Sequence, residues 1–248
     1  RSPLFSHRLP ILRAWGVHFY TSLGLVAGFF ALEAILAGEA YRAFIFLAIA
    51  LCIDATDGPF ARRWDVKRWT PNFDGRKLDD ITDYINYTFL PVFFAYRFGL
   101  VEGPVGILIL ASVLISSAYG FCSEGAKTSD HYFTGFPSYW NVTIFYLYLL
   151  QWPIWGNTLL LGLLAVLVWV PVKYITWQTS ICRRLTLFGS LSWGAALLLL
   201  MITFMKAPGW LLWGSLLYPI YHIGLSFYLY TVVSPNSQDS GFPIKYQA

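Results

Sequence analysis

A bilayer core takes about 20 apolar residues per helix, and this 248-residue chain offers eight such stretches. They run over 15–37, 41–59, 79–97, 103–123, 138–154, 158–177, 186–205 and 210–233. The expected fold class is all-α: a polytopic integral membrane helical bundle of about eight transmembrane helices. Charged residues make up only 12%, against roughly 25% in an ordinary soluble domain. Too few charges remain to cover a water-facing surface, so a soluble enzyme, a disordered chain and a coiled coil are excluded. Residues 1–13 mix Leu4, Phe5, Leu9, Ile11 and Leu12 with Arg1, Arg8 and Arg13, the pattern of an N-terminal amphipathic interfacial helix. No separate soluble domain fits between the spans, so residues 1–248 read as one membrane domain.

The charges that remain are sorted. A formal net charge of +4 is too weak to imply nucleic acid. With the N-terminus placed in the cytoplasm, fourteen of the 17 Lys and Arg fall on that side, leaving Arg42, Arg97 and Lys206 outside. By the positive-inside rule this puts both termini in the cytoplasm. Cys52, Cys122 and Cys182 form no CxxC pair and imply neither a zinc site nor a disulfide framework.

Acidic residues are scarcer still, yet seven of 13 lie between Asp54 and Asp83. Asp54 and Asp57 close the second span; Asp79 and Asp83 open the third. At 100° per residue, an i,i+3 pair lies about 60° apart and an i,i+4 pair about 40° apart, so each pair shares a helix face. Four carboxylates can thus converge at the cytoplasmic ends of two consecutive helices. Carboxylates this close to hydrocarbon are a functional feature by default, and an all-oxygen cluster suits Mg2+ or Mn2+. The bland alternative is neutralisation by Arg62, Arg76 or Lys77. Asp80 is turned off the shared face, and Asp65 and Asp74 are expected to pair locally with Arg68 or Lys77. Glu33, far along the first span, is expected to make a structural hydrogen bond.

The segment reads Asp54-Ala55-Thr56-Asp57-Gly58-Pro59-Phe60-Ala61-Arg62, then twelve residues, then Gly75-Arg76-Lys77-Leu78-Asp79-Asp80-Ile81-Thr82-Asp83. It resembles the signature D-x-x-D-G-x-x-A-R…G-x-x-x-D-x-x-x-D of the CDP-alcohol phosphotransferase family, with every fixed position filled. The twelve-residue insert, Arg63 to Asp74, is longer than most of the family carries. It resembles the bacterial phosphatidylcholine synthase branch, as does the loop from Ala126 to Asn141.

That resemblance implies a transfer of the phosphatidyl group of CDP-diacylglycerol to the hydroxyl of choline, with CMP released. It assigns Asp54, Asp57, Asp79 and Asp83 as ligands of two divalent ions, Mn2+ or Mg2+, with Asp83 also the catalytic base. It assigns CDP-diacylglycerol binding to Asp57, Gly58, Ala61, Arg62, Gly75 and Asp79, the two glycines letting the cytidine approach the backbone. A quaternary ammonium is held by aromatic faces and a carboxylate. The candidates are Tyr84, Tyr87, Tyr119, Tyr139 and Trp140, with Glu124 or Asp130 as counter-charge. His18 and His222 read as core polar groups. The same resemblance implies a bacterial inner (cytoplasmic) membrane, membrane lipids as surroundings and a homodimer. Serine, glycerol phosphate or inositol phosphate is the alternative acceptor. An ion-coupled transporter would carry its acids at the membrane midplane, whereas these gather at one end.

Overall fold

A computed structural model describes residues 3–123, 133–174 and 183–232. The helices are α1 (Pro3–Leu36), α2 (Ala40–Arg63), α3 (Val66–Trp69), α4 (Gly75–Asp83), α5 (Leu90–Arg97), α6 (Gly103–Cys122), α7 (Trp140–Leu150), α8 (Ile154–Trp169), α9 (Arg183–Thr203), α10 (Gly209–Ser215) and α11 (Leu217–Val232). The two strands, β1 (Phe133–Thr134) and β2 (Lys173–Tyr174), pair antiparallel. The expected all-helical membrane fold is what the chain adopts.

Among the described residues, four helices are long and apolar enough to cross a bilayer: Arg8–Leu36, Ala40–Arg63, Gly103–Cys122 and Arg184–Lys206. Their surfaces suit lipid, with Phe19, Leu108, Phe188 and Leu191 each more than 60% exposed. Within the described residues the other four expected spans are shorter or interrupted, and 158–177 is helical only as far as Trp169 before it enters β2. At about 1.5 Å per residue, the eleven residues of α7 cover well under the hydrocarbon thickness, because Gln151 turns left-handed (φ 50°) and ends the helix.

The contacts divide the chain into two units. One comprises residues 1–122 and 138–165, the other 123–137 and 166–248. In the first, α1 and α2 form a hairpin. Gly38 (φ +79°) donates to the Ile35 carbonyl at 3.1 Å while Glu39 donates to that of Ala34 at 2.9 Å. This Schellman closure uses the left-handed conformation that glycine takes without steric cost. Beside it, Arg42 bridges Glu33 at 2.8 Å and Glu39 at 3.0 Å, so Glu33 has the structural role expected of it.

From Pro3 onward, the expected separate interfacial helix is simply the first part of α1, which continues through Pro10 without a break. Similarly, α2 does not stop at Pro59 but runs on to Arg63, carrying Asp54, Asp57, Gly58, Ala61 and Arg62 on one element. The third span starts at Gly75, where Asp74 caps α4 by accepting from the Lys77 amide at 3.1 Å. It then widens into a π turn at Tyr84–Phe89 before α5. Pro91 accounts for the widening: it donates no N–H, and its ring crowds the carbonyl four residues back, which belongs to Tyr87. Such π turns often sit at functional sites.

At the other end of this unit, Phe44 of α2 packs on Phe94 of α5 at 4.4 Å and on Phe145 of α7 at 5.0 Å. This aromatic core fixes α2 against α5. In the second unit, the Gly135 amide donates to the Val172 carbonyl at 2.9 Å beside the strand pair. There the Tyr218 ring of α11 lies against Gly189 of α9.

Candidate active site

The twelve-residue insert is folded. Val66 of α3 is buried with Ala14 and Val17 of α1, flanked by Phe60, Ala61, Trp64 and Trp69. Thr70 is buried, and its Oγ1 lies 2.9 Å from His18 Nε2 on α1. Phe73 packs on His18 at 4.4 Å and on Trp15 at 5.2 Å. The insert is thereby held against α1, and α4 begins at a defined place.

Three of the four carboxylates expected to converge have oxygens close together. One carboxylate oxygen from each of Asp54, Asp57 and Asp79 lies within 4.8 Å of the others. Asp83 lines the same small pocket, together with Thr21, Ala50, Ile53, Thr82, Asn86 and Tyr87. Asp57 is buried; Asp54, Asp79 and Asp83 are partly exposed. Like charges this close repel unless a cation intervenes.

The bland alternative fails for the two α2 carboxylates. Arg76 pairs with Asp80 at 3.9 Å and Lys77 with Asp74 at 3.8 Å. Among the described residues no ion pair reaches Asp54 or Asp57. Asp80 lines neither this pocket nor its neighbour, as its position off the shared face requires. An oxygen-only set of acids with no cationic partner on two of its members fits a hard divalent ion.

The pocket shares Thr21, Asp57 and Asp79 with a cavity of about 840 Å³. That cavity is also lined by Gly58, Ala61, Arg62, Gly75 and Arg76. Every residue assigned to CDP-diacylglycerol by the signature therefore borders one space. Its size is within the roughly 300–1,000 Å³ typical of small-molecule sites.

Four features differ from the sequence reading. At Gly75 an added Cβ would meet a protein side chain, 2.8 Å from His18 Cε1, although the glycine borders the large cavity. At Gly58 the Arg62 guanidinium comes within 3.3 Å of the corresponding position. Trp140 is not an open aromatic face. It is 0% exposed, and its indole N–H donates to Ser117 Oγ at 2.6 Å, which makes it a core residue. Tyr84 lies outside both pocket linings; its hydroxyl donates to the Leu114 carbonyl at 3.0 Å and its ring meets Phe121 edge-on.

Tyr119 and Tyr139 are exposed, at 49% and 46%. Glu124 and Asp130 lie outside the described residues. Two groups that the signature does not contain join the site. Thr21 Oγ1 donates to Asp57 Oδ2 at 2.7 Å, and Tyr87 Oη donates to Asp54 Oδ2 at 2.7 Å. His18 and Thr21 stand three residues apart on α1, in a stretch that also holds Tyr20 and Ser22. That i,i+3 spacing puts the two on one face of α1.

The fold and the site together define a polytopic membrane protein built around an all-carboxylate centre at one end of its second and third helical spans. Residues 18–177 match the CDP-alcohol phosphatidyltransferase family. The chain belongs to that family, whose members are transferases of phosphate-containing groups.

It is 43% identical over 163 residues to a phosphatidylcholine synthase of Legionella pneumophila, covering 65% of this chain and 64% of that protein. It is 36% identical over 178 residues to one of Borreliella burgdorferi, covering 71% and 76%. With one of Rhizobium meliloti it shares 29% identity over 219 residues, covering 88% and 91%. The match to the Legionella protein thus spans a little under two thirds of that relative's length.

Proposed function

We propose that this protein is a phosphatidylcholine synthase, transferring the phosphatidyl group of CDP-diacylglycerol to choline and releasing CMP. The observation that carries the reading is the convergence of the complete signature on one carboxylate pocket opening into one cavity. The relatives' names supply the acceptor. In this reading residues 1–248 act as one catalytic domain in the inner membrane of a bacterium, with the site on the cytoplasmic side and a second copy of the chain as partner.

Asp54, Asp57 and Asp79 would hold Mg2+ or Mn2+, two ions in all, with Asp83 completing the site. Ions held there would supply charge neutralisation for the diphosphate and for the departing phosphate oxygen. Arg62 presents a guanidinium fork suited to phosphate at the wall of the cavity. Asp83 accepts the proton of the choline hydroxyl as the choline oxygen bonds to the phosphatidyl phosphorus. The bond from that phosphorus to the CMP oxygen breaks, CMP leaves with the electron pair, and Asp83 returns its proton to water. Recognition of the quaternary ammonium falls to the exposed aromatic faces of Tyr119 and Tyr139, with Glu124 or Asp130 as counter-charge.

The test is CMP release from CDP-diacylglycerol by purified protein, with choline, serine, glycerol phosphate or inositol phosphate offered in turn, with and without Mn2+. Choline should support metal-dependent turnover. Turnover with serine but not choline would overturn the acceptor, and no turnover with any alcohol would overturn the enzymatic reading.

A further inference from the structure

Two hydroxyl groups outside the signature touch the carboxylate cluster, and they do so in the same way. Thr21, on α1, donates its one hydroxyl proton to Oδ2 of Asp57; Tyr87, in the π turn, donates its own to Oδ2 of Asp54. Both bonds are 2.7 Å, a good O–H···O distance. The two acceptors are the pair on α2 that no Lys or Arg neutralises among the described residues.

We propose that Tyr87 and Thr21 are positioning residues for the metal centre, each fixing the rotation of one α2 carboxylate by holding one of its oxygens. The inference deepens the reading of Asp54 and Asp57 as ligands and rests on it. Neutral donors suit this role on electrostatic grounds. A Lys or Arg in either place would orient the carboxylate equally well but would compete with the cation for its charge. A hydroxyl orients without competing, and such outer partners commonly govern how tightly a metal is held.

The placement of Tyr87 depends on the local helix geometry. Asp79, Asp83 and Tyr87 line one pocket at successive four-residue steps. The π turn that opens at Tyr84 sets where the phenol falls relative to the two aspartates before it. Pro91, which obliges the widening at the Tyr87 carbonyl, is thereby linked to the orientation of Asp54 on the neighbouring helix. Thr21 has a parallel position on α1, where the insert anchors the helix through His18 and Thr70.

The experiment is Mn2+ binding to metal-stripped full-length protein, read by electron paramagnetic resonance of the free ion, with no alcohol or lipid substrate present. Tyr87→Phe and Thr21→Val should each weaken binding about 10- to 100-fold. Thr21→Ser, which keeps the donor, should bind as the wild type does. Turnover in Tyr87→Phe should recover on raising Mn2+, a metal-dependent rescue that a merely structural loss would not show. Wild-type affinity in both Tyr87→Phe and Thr21→Val, with binding lost in Asp54→Asn, overturns this inference and leaves the metal reading standing. Wild-type affinity in Asp54→Asn overturns the metal reading and this inference together. A lower melting midpoint for stripped Tyr87→Phe, with unchanged affinity in its folded fraction, also overturns it.

Discussion

The imidazole of His18 occupies the space over Gly75: a Cβ added to the glycine would stand 2.8 Å from Cε1 and 3.3 Å from Nδ1. The ring cannot easily yield, since its Nε2 is tied to Thr70 Oγ1 and Phe73 packs on its face. Thr70 Oγ1 also lies 3.0 Å from the Val66 carbonyl, which can only accept. Both contacts are satisfied together when the hydroxyl proton goes to Val66 and His18 donates from Nε2. In this chain, the second glycine of the signature therefore serves the junction between α1, the insert and α4.

Gly75→Ala should accordingly cost about 1–3 kcal/mol by overpacking and lower the melting midpoint in detergent. In a His18→Ala background, where the ring is gone, the same alanine should cost little. A thermal-melt double-mutant cycle checks this. Equal costs in the two backgrounds would show that His18 is not what the glycine accommodates.

Metal binding should also be visible in stability, independent of turnover. Clustered carboxylates repel in the stripped protein, and a ligand bound only by the folded state stabilises it by about 2.7 kcal/mol at 100 times its dissociation constant. Mn2+ or Mg2+ should raise the melting midpoint of chelator-treated protein and restore the activity that chelation removes. Asp54→Asn keeps an acceptor for Tyr87 and removes one charge. When stripped of metal, it should melt above the stripped wild type and gain little from added cation. A wild-type metal response in that variant would contradict the site.

Legibility in the sequence depends on where the information resides. The spacing of Asp54 with Asp57 and of Asp79 with Asp83 puts each pair on one helix face, so the two faces can be read from spacing alone. Thr21 cannot be read that way, because it lies on another helix and its link to Asp57 is a tertiary contact spanning 36 residues. Tyr87 is legible as an aromatic residue but not as a carboxylate partner; in a chain that is 19% aromatic, nothing local separates a hydrogen-bonding phenol from a packing ring. Trp140 passes for an open aromatic face for the same reason. The second span is expected to end at Pro59, yet α2 passes through it to Arg63, since surrounding turns carry the helix past one missing donor.

Trp140 offers a clean contrast between packing and recognition. Trp140→Phe removes the bond to Ser117 and leaves that hydroxyl to Ser138 Oγ, 3.3 Å away. Burial of the residue is complete, so the change should cost about 1 kcal/mol for the hydrogen bond plus a term for the vacated volume. The KM for choline should stay at the wild-type value while the melting midpoint falls. A selective rise in that KM would return Trp140 to the acceptor site.

Asp83 differs from its three neighbours in the pocket, and one substitution separates its two assigned roles. Asp54, Asp57 and Asp79 bring their oxygens within 4.8 Å of one another, and Asp83 stands outside that triplet while lining the same pocket. In the proposed reaction Asp83, beside that triplet, takes the proton of the incoming hydroxyl. Asp83→Asn keeps the volume and an acceptor oxygen but loses the base, so turnover should fall about 10²- to 10⁴-fold. Metal-dependent binding of CDP-diacylglycerol should persist, whereas Asp79→Asn should lose it. Measuring nucleotide-lipid binding and CMP release side by side decides the matter. Loss of both in Asp83→Asn would make Asp83 chiefly a metal ligand and would leave the proton to another group.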